Sequence, residues 1–230
     1  LPRHMDPHYE DSMADHVMDD YIAEIGRQRE LLAERGSQME LVCGIEADWL
    51  DGRADELKEL CAPFEYVIGS LHYLDERPVD NSSNMEVWDD LGVDGVWKRY
   101  FEKWLDMAAS DAPVTTFGHP DLPKLFGDRP GFDAREYYEA MAQAAAKKGC
   151  MVEVNTAGWR KAVDEAYPSL ELLRFFCDAG VECTVGCDAH RPADIARGVA
   201  DAYELMRRAG YRYVAVPTAD GDRRYIDLGG

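Results

Sequence analysis

The apolar and polar residues of this chain follow two spacings that alternate along its length. From Asp15 to Arg35 the apolar positions recur every three or four residues, which predicts an amphipathic helix that ends before Gly36. The next stretch, Met39 to Glu46, is short and mostly apolar. It predicts a largely buried strand with Glu46 at its exit.

The same order of helix and strand repeats along the rest of the chain. Apolar runs predict strands at 66–70, 114–117, 151–154 and 181–185, with two more at 213–216 and near Tyr225. Helical spacing predicts helices at 51–60, 93–109, 134–148, 168–179 and 193–208. Residues 1–14 and 74–92 are rich in turn formers and predict loops, the second long enough for a lid or a binding segment.

Strands that alternate with helices predict an α/β fold whose strands are parallel and covered by helices. Both a barrel and an open sheet fit this alternation. No repeat, low-complexity tract or linker interrupts the 230 residues. We therefore expect a single domain over residues 1–230.

The charge of the chain narrows the possible partners. The chain has 45 acidic and 25 basic residues and a formal net charge of −20, which argues against binding nucleic acid or an anionic membrane through bulk electrostatics. Local basic positions could still bind a phosphate. No apolar run suggests a membrane span, and the first residues show no signal-peptide pattern, so we expect a cytoplasmic protein.

The six cysteines lie in or beside apolar segments and show no C-x-x-C spacing. This pattern favours buried thiols in a reducing compartment over a zinc ribbon or a disulfide framework. Cys187 stands next to Asp188 and could be a nucleophile or a soft metal ligand. A small strand residue that fills space is the favoured interpretation.

Four of the apolar runs end in a side chain that can bind a metal ion. The residues at these exits are Glu46, His72, His119, Asp188 and His190. Because the exits of parallel strands face one rim, we expect these side chains to converge. Carboxylates and imidazoles together suit Zn²⁺, Mn²⁺ or Fe. Taken singly, each residue could instead be a loop residue or a helix cap.

A second candidate site follows the predicted strand at 151–154. Asn155 ends that strand, and small residues then lead to the adjacent cations Arg160 and Lys161. Arg160 could bind a phosphate through two hydrogen bonds and Lys161 through a point charge. The alternative is a solvent-exposed turn.

These segments resemble the polymerase-and-histidinol-phosphatase (PHP) family, and within it the histidinol-phosphatase branch. The resemblance covers residues 1 to about 215 and is carried by Gly44-Ile45-Glu46, Gly69-Ser70-Leu71-His72, the run from Gly118 to Lys124, the run from Glu153 to Lys161, and Asp188-Ala189-His190. The loop after Asn155 with Arg160, Glu165 and Tyr167-Pro168-Ser169 points to the histidinol-phosphatase branch. The resemblance implies a distorted seven-stranded (β/α) barrel that uses two or three divalent ions to hydrolyse a phosphate monoester.

The resemblance also assigns roles to individual residues. Glu46, His72, His119, Asp188 and His190 fall on metal-ligand positions, and Glu46 and Asp188 are the expected catalytic residues. Arg160 falls on a position that binds the substrate phosphate, with Asn155 and Lys161 beside it.

The chain departs from the family pattern at its start. The family's first two strands end in His-x-His and Asp-His, and neither motif is present. We therefore expect a PHP-type barrel that lacks its first two strands and keeps five of seven. His4 and His8 have the wrong spacing to replace the lost ligands, although a role near the substrate is open to them. Cys187 stands where a serine is usual.

The function predicted from the resemblance is hydrolysis of L-histidinol phosphate in histidine biosynthesis. One alternative is another PHP phosphoesterase that acts on nucleotides or small phosphodiesters. A further alternative is a truncated fragment without catalytic activity. The expected partner is a small phosphate monoester, and the sequence leaves the oligomeric state open.

Overall fold

The alternating pattern folds into a parallel sheet with helices packed on one of its faces. The computed structural model describes residues 15–229. Its strands are β1 (Gly44–Asp48), β2 (Tyr66–Ser70), β3 (Tyr73–Leu74), β4 (Arg77–Pro78), β5 (Thr116–Phe117), β6 (Met151–Asn155), β7 (Cys183–Gly186), β8 (Tyr213–Pro217) and β9 (Arg223–Asp227). Five of them form the central sheet in the order β1-β2-β5-β6-β7, and every neighbouring pair is parallel.

The helices follow the same alternation. They are α1 (Asp15–Glu34), α2 (Ala54–Cys61), α3 (Glu86–Ala109), α4 (Arg135–Lys148), α5 (Leu170–Asp178) and α6 (Val199–Ala209), with short 3₁₀ helices at Leu122–Phe126, Thr156–Arg160 and Pro192–Asp194. Among residues 15–229, no helix is long and apolar enough to cross a membrane.

The two faces of the sheet differ in polarity. On β1, Ile45 and Ala47 belong to the hydrophobic core, as does Phe117 on β5. Trp104 of α3 packs on Phe117 with 4.4 Å between the ring centroids, so the helices cover this apolar face. The alternate residues, among them Glu46, point to the opposite face, because successive side chains of a strand point to opposite sides. The polar side chains that could form a site, such as Glu46, therefore lie on the face opposite the helices.

The prediction of a loop over residues 74–92 is wrong in part. Strands β3 and β4 pair antiparallel within it, and α3 begins at Glu86. Gly92 interrupts α3 with φ 64° and ψ 170°, so the predicted helix from Val93 is only the second part of α3. The first part of α3, before Gly92, is held by the buried Trp88, because its Nε1 donates to the Val79 carbonyl at 3.0 Å.

The first strand was also predicted too early. β1 begins at Gly44 and continues to Asp48, so Glu46 lies in its middle and not at its exit. The residues before it bond to side chains: Arg29 donates to the Leu41 carbonyl, and the Cys43 N–H donates to Glu65. These bonds replace the strand ladder that the apolar run suggested.

The predicted helix at 193–208 divides into two parts. The 3₁₀ helix at Pro192–Asp194 is separated from α6 by Ala196 and Gly198, which have φ values of 60° and 79°. A left-handed backbone cannot continue an α-helix. The remaining predicted strands and helices are found within a few residues of their expected bounds, and β8 and β9 form a separate antiparallel pair.

The parallel α/β fold with five strands in one sheet is confirmed. All six cysteines are free thiols, four of them buried, and Cys187 is half-buried. Residues 1–14, predicted to be a loop, lie outside the described residues together with His4 and His8.

The tight contact of β2 with the segment before β5 yields a stability prediction. A Cβ at Gly69 would lie 2.5 Å from Val114 Cγ2, so Gly69→Ala is expected to lower the free energy of unfolding by about 1–3 kcal/mol. Gly26 is the matched control, because it lies in α1 with nothing within 4 Å of a built Cβ. Gly26→Ala is expected to raise stability by about 0.5–1 kcal/mol. Urea unfolding of both variants checks this, and equal effects would contradict it.

Candidate metal centre at the carboxyl end of the sheet

Three of the five predicted metal ligands meet on the polar face of the sheet. Glu46 comes from the middle of β1, His72 from the segment after β2, and His119 from the segment after β5. His119 Nε2 lies 3.0 Å from Glu46 Oε1 and 3.1 Å from His72 Nε2, and His72 Nε2 lies 3.6 Å from Glu46 Oε1. We refer to these three residues as the metal cluster.

The spacing of these atoms fits one divalent ion. A tetrahedral ion with bonds of about 2.0–2.1 Å places its ligand atoms about 3.3 Å apart. The three separations of 3.0, 3.1 and 3.6 Å in the metal cluster bracket that value. Two imidazole nitrogens and a carboxylate oxygen are also a donor set that zinc, manganese and iron accept.

Two of the three ligands are oriented by a polar group on the adjacent strand. His72 Nδ1 lies 2.6 Å from Asp48 Oδ1, and an ionised carboxylate can only accept, so Nδ1 carries a hydrogen and Nε2 is the nitrogen left to bind a metal ion. Ser70 Oγ donates to Glu46 Oε1 at 2.6 Å. Asp48 is 1% exposed, so the surrounding protein holds this carboxylate in place.

The electrostatics of the metal cluster favour bound positive charge. Burial disfavours the ionised form of Glu46, but the hydrogen bond with His119 and the charge of His72 outweigh it and hold the pKa of Glu46 well below its usual value. Burial would lower the pKa of His72, but the charges of Asp48 and Glu46 raise it to about 10. The pKa of His119 is also raised, because its hydrogen bond to Glu46 outweighs burial. Without a metal ion, this site holds protons.

Asp48 was missed in the sequence because β1 was expected to end at Glu46. The signal was present in the two-residue period of a strand, which places Gly44, Glu46 and Asp48 on one face. Glu153 was missed as a site residue for a different reason, because it lies inside the predicted strand at 151–154 and candidate residues were sought only after strand ends. It lies on β6, is 5% exposed, and burial raises its pKa to about 7. Its Oε2 accepts the His119 N–H at 3.2 Å.

A buried ionic network fixes the segment that follows His119. Lys124 is fully buried, and its Nζ lies 2.8 Å from Asp121 Oδ2 and 2.9 Å from Glu165 Oε2. Lys124 also donates to the Ala166 carbonyl at 2.7 Å, and Asp121 Oδ2 accepts the Ser169 N–H at 2.7 Å. The network ties the 3₁₀ helix after β5 to the segment after β6.

Asp188 and His190 do not join the metal cluster. The His190 side chain is 68% exposed, and its Nδ1 lies 3.1 Å from the Asp188 carbonyl oxygen. Asp188 has φ 48° in the segment after β7, and its charge contributes to the raised pKa of the buried Glu153. Their roles as metal ligands stay a prediction.

The three residues predicted to bind phosphate have different surroundings. Arg160 donates to the carbonyls of Cys187 at 2.8 Å and Asp188 at 3.2 Å, so it holds the segment after β7. The buried Asn155 accepts the Ala157 N–H at 2.8 Å and donates to Glu153 at 3.1 Å. Lys161 is exposed. Binding of substrate by these residues stays a prediction.

Comparison with known proteins places these features in a family. A family model of the PHP domain matches residues 10–157. A Deinococcus radiodurans protein named "Probable histidinol-phosphatase" is 34% identical over 198 residues, which cover 85% of this chain and 74% of the relative. A Lactococcus lactis protein named "Histidinol-phosphatase" is 25% identical over 204 residues, with 85% and 74% of the two chains covered.

Solved structures share the fold. A Lactococcus lactis histidinol phosphate phosphatase, solved in complex with zinc, L-histidinol and phosphate, superposes with a TM-score of 0.71 at 22% identity, covering 90% of this chain and 79% of that chain. A Listeria monocytogenes structure superposes with a TM-score of 0.74 at 21% identity, covering 83% and 77%. The arrangement of strands and helices therefore recurs in both.

The contact between Asp48 and His72 predicts the effect of one substitution. Asp48→Asn keeps the shape of the side chain but removes the charge that raises the basicity of His72. We expect affinity for Zn²⁺ to fall about 10–100-fold, as measured by competition with a chelating dye. Asp55→Asn is the control, because Asp55 is 95% exposed and bonds to Lys58 on α2. Wild-type affinity in Asp48→Asn would refute the orienting role.

The raised pKa of His72 predicts how metal binding depends on pH. Because that pKa is about 10, the metal-free site holds a proton at neutral pH, and an ion must displace it. Affinity should therefore rise with pH between 7 and 9, by roughly tenfold per unit for each proton released. Calorimetry in two buffers of different ionisation enthalpy counts the protons. An affinity that is flat over this range would contradict the prediction.

Proposed function

The chain belongs to the PHP family, and from this membership we propose that it is a metal-dependent phosphatase that hydrolyses L-histidinol phosphate to L-histidinol and phosphate. The observation that carries the proposal is the metal cluster, in which Glu46, His72 and His119 lie within 4.8 Å of one another. His72 and His119 follow the carboxyl ends of β2 and β5, where α/β proteins build their sites, and Glu46 joins them from the middle of β1.

The residues of the metal cluster would hold a divalent ion through one carboxylate oxygen and two imidazole nitrogens. Such an ion supplies positive charge that stabilises a phosphoryl group and activates water for attack. Asp48 keeps the hydrogen of His72 on Nδ1, and Ser70 holds Glu46 Oε1 at 2.6 Å. The protein thereby presents the ligands in a fixed arrangement, which lowers the cost of ordering them during the reaction.

The proposal extends to residues around the metal cluster. We assign Asp188 and His190 as ligands of further ions, giving two or three in all, with Zn, Mn or Fe as candidates. The charge of Asp188 contributes to the raised pKa of Glu153, which bonds directly to His119, so Asp188 lies near the metal cluster. Glu46 and Asp188 are then the catalytic carboxylates.

Recognition of the phosphate is assigned to Arg160, Asn155 and Lys161. Among residues 15–229 the exposed Lys161 forms no ion pair, and Arg160 fixes the carbonyls of Cys187 and Asp188. In this arrangement Arg160 positions the segment after β7 and also contributes its own positive charge toward the phosphate.

The proposed activity is tested by phosphate release from L-histidinol phosphate. Glu46→Gln is expected to lower kcat/KM by more than about 100-fold, because it removes an anionic ligand at the centre of the metal cluster. The control is Glu56→Gln, since Glu56 is 53% exposed and pairs with Arg53 on the surface. Treatment with a chelator should abolish turnover, and added Zn²⁺, Mn²⁺ or Fe²⁺ should restore it.

Two results would contradict the proposal. Turnover of bis-p-nitrophenyl phosphate without turnover of L-histidinol phosphate would favour a PHP phosphoesterase of another specificity. A folded, metal-loaded protein that releases no phosphate from either compound would favour a non-catalytic fragment.

A further inference from the structure

A buried carboxylate beside the metal cluster has no part in the mechanism above. Glu153 lies on β6, and its Oε2 accepts two hydrogen bonds, from the His119 N–H at 3.2 Å and from Asn155 Nδ2 at 3.1 Å. We propose that Glu153 is a positioning residue that holds the backbone of His119, so that the His119 imidazole faces Glu46 and His72. This inference rests on the proposed metal site.

The backbone of His119 needs such support. Its φ is 22°, a left-handed conformation that residues with a side chain rarely adopt, and Pro120 restricts it further. A conformation of this kind persists only where the surroundings fix it. The His119 carbonyl accepts the Tyr100 hydroxyl at 3.2 Å and the Leu122 N–H at 3.1 Å. Glu153 supplies the matching bond to the N–H.

The neighbouring strands leave space for this carboxylate. A Cβ on Gly186 of β7 would lie 1.8 Å from Glu153 Oε1, and a Cβ on Gly118 would lie 2.4 Å from Ser70 Oγ and 3.7 Å from Glu153 Oε2. Side chains at either position would displace the groups that surround His119. The two glycines therefore permit the contact between β6 and the segment after β5.

Hydrogen bonding, and not ion pairing, defines the role of Glu153. Within the part of the chain that the structure describes, no lysine or arginine nitrogen lies within 4.0 Å of its carboxylate. Both donors to Oε2 are neutral amides. A glutamine oxygen could accept the same two hydrogen bonds, whereas methionine fills the space without an acceptor of comparable strength.

This difference between glutamine and methionine provides the test. Co²⁺ alone is titrated into the full chain, and its dissociation constant and visible spectrum are recorded for wild type, Glu153→Gln and Glu153→Met. We expect Glu153→Gln to bind within about threefold of wild type with the same spectrum. Glu153→Met should bind about 10–100-fold more weakly with an altered spectrum, because His119 is no longer held.

A matched control separates this effect from general destabilisation. Glu182→Gln removes a carboxylate that bonds to Arg223 and Tyr225, both of which lie on β9. It should leave Co²⁺ binding unchanged even if its unfolding temperature falls. Circular dichroism establishes that each variant is folded.

Gly186→Ala offers a second route that leaves Glu153 in place. Its Cβ should push the carboxylate away and weaken Co²⁺ binding about 10–100-fold. In a Glu153→Ala background the added methyl meets no carboxylate, so the same change should alter the dissociation constant by less than about threefold. Additive effects of the two substitutions would overturn the inference.

The failure of this inference is distinct from the failure of the proposed function. Suppose that wild type binds Co²⁺ and hydrolyses L-histidinol phosphate. If Glu153→Met then binds Co²⁺ as tightly as wild type, or if Glu153→Gln binds it as weakly as Glu153→Met, the positioning role is wrong and the function stands. If wild type binds no Co²⁺, the metal site is wrong, and the inference falls with it.

Discussion

Two imidazole nitrogens held 3.1 Å apart, with a carboxylate oxygen 3.0 Å from one of them, are the constraint on which this site depends. Lone pairs at that distance repel one another unless a proton or a metal ion lies among them. The raised pKa values of His72 and His119 express the same fact in the metal-free protein. When neither a proton nor a metal ion is present, the surrounding structure must hold the three donors together against their own repulsion.

The supports for the three donors all cross from one strand region to the next. Ser70 on β2 holds Glu46 on β1, Asp48 on β1 holds His72 after β2, and Glu153 on β6 bonds to His119 after β5. A slip of one residue in the pairing of β1 with β2, or of β5 with β6, would turn these groups to the helix-covered face. The register of the parallel sheet, fixed by the apolar side chains of the other face, thus determines the geometry of the metal cluster.

The strands and most helices could be predicted because apolar runs and helical spacing are local signals. The convergence of His72 and His119 followed from the rule that parallel strand exits share a rim, and Glu46 meets them from the middle of β1. Asp48 could not be recognised because the predicted strand ended at Glu46. The start of β1 depends on two side-chain hydrogen bonds, one that Arg29 donates to the Leu41 carbonyl and one that Glu65 accepts from the Cys43 N–H. Such contacts join residues far apart in sequence, so spacing alone does not reveal them.

The net charge of −20 shapes how a phosphate ester could bind. At a distance, this field repels an anion, although salt screens it beyond about 8–10 Å. Close to the metal cluster, the carboxylates of Glu46 and Asp48 offset the charge of the protons that the metal-free site holds. Arg160 is engaged with two backbone carbonyls, so its charge alone is a weak counterweight. Positive charge brought by metal ions would then favour phosphate binding, and on the proposed function we expect loading of the cluster to precede recognition of the substrate.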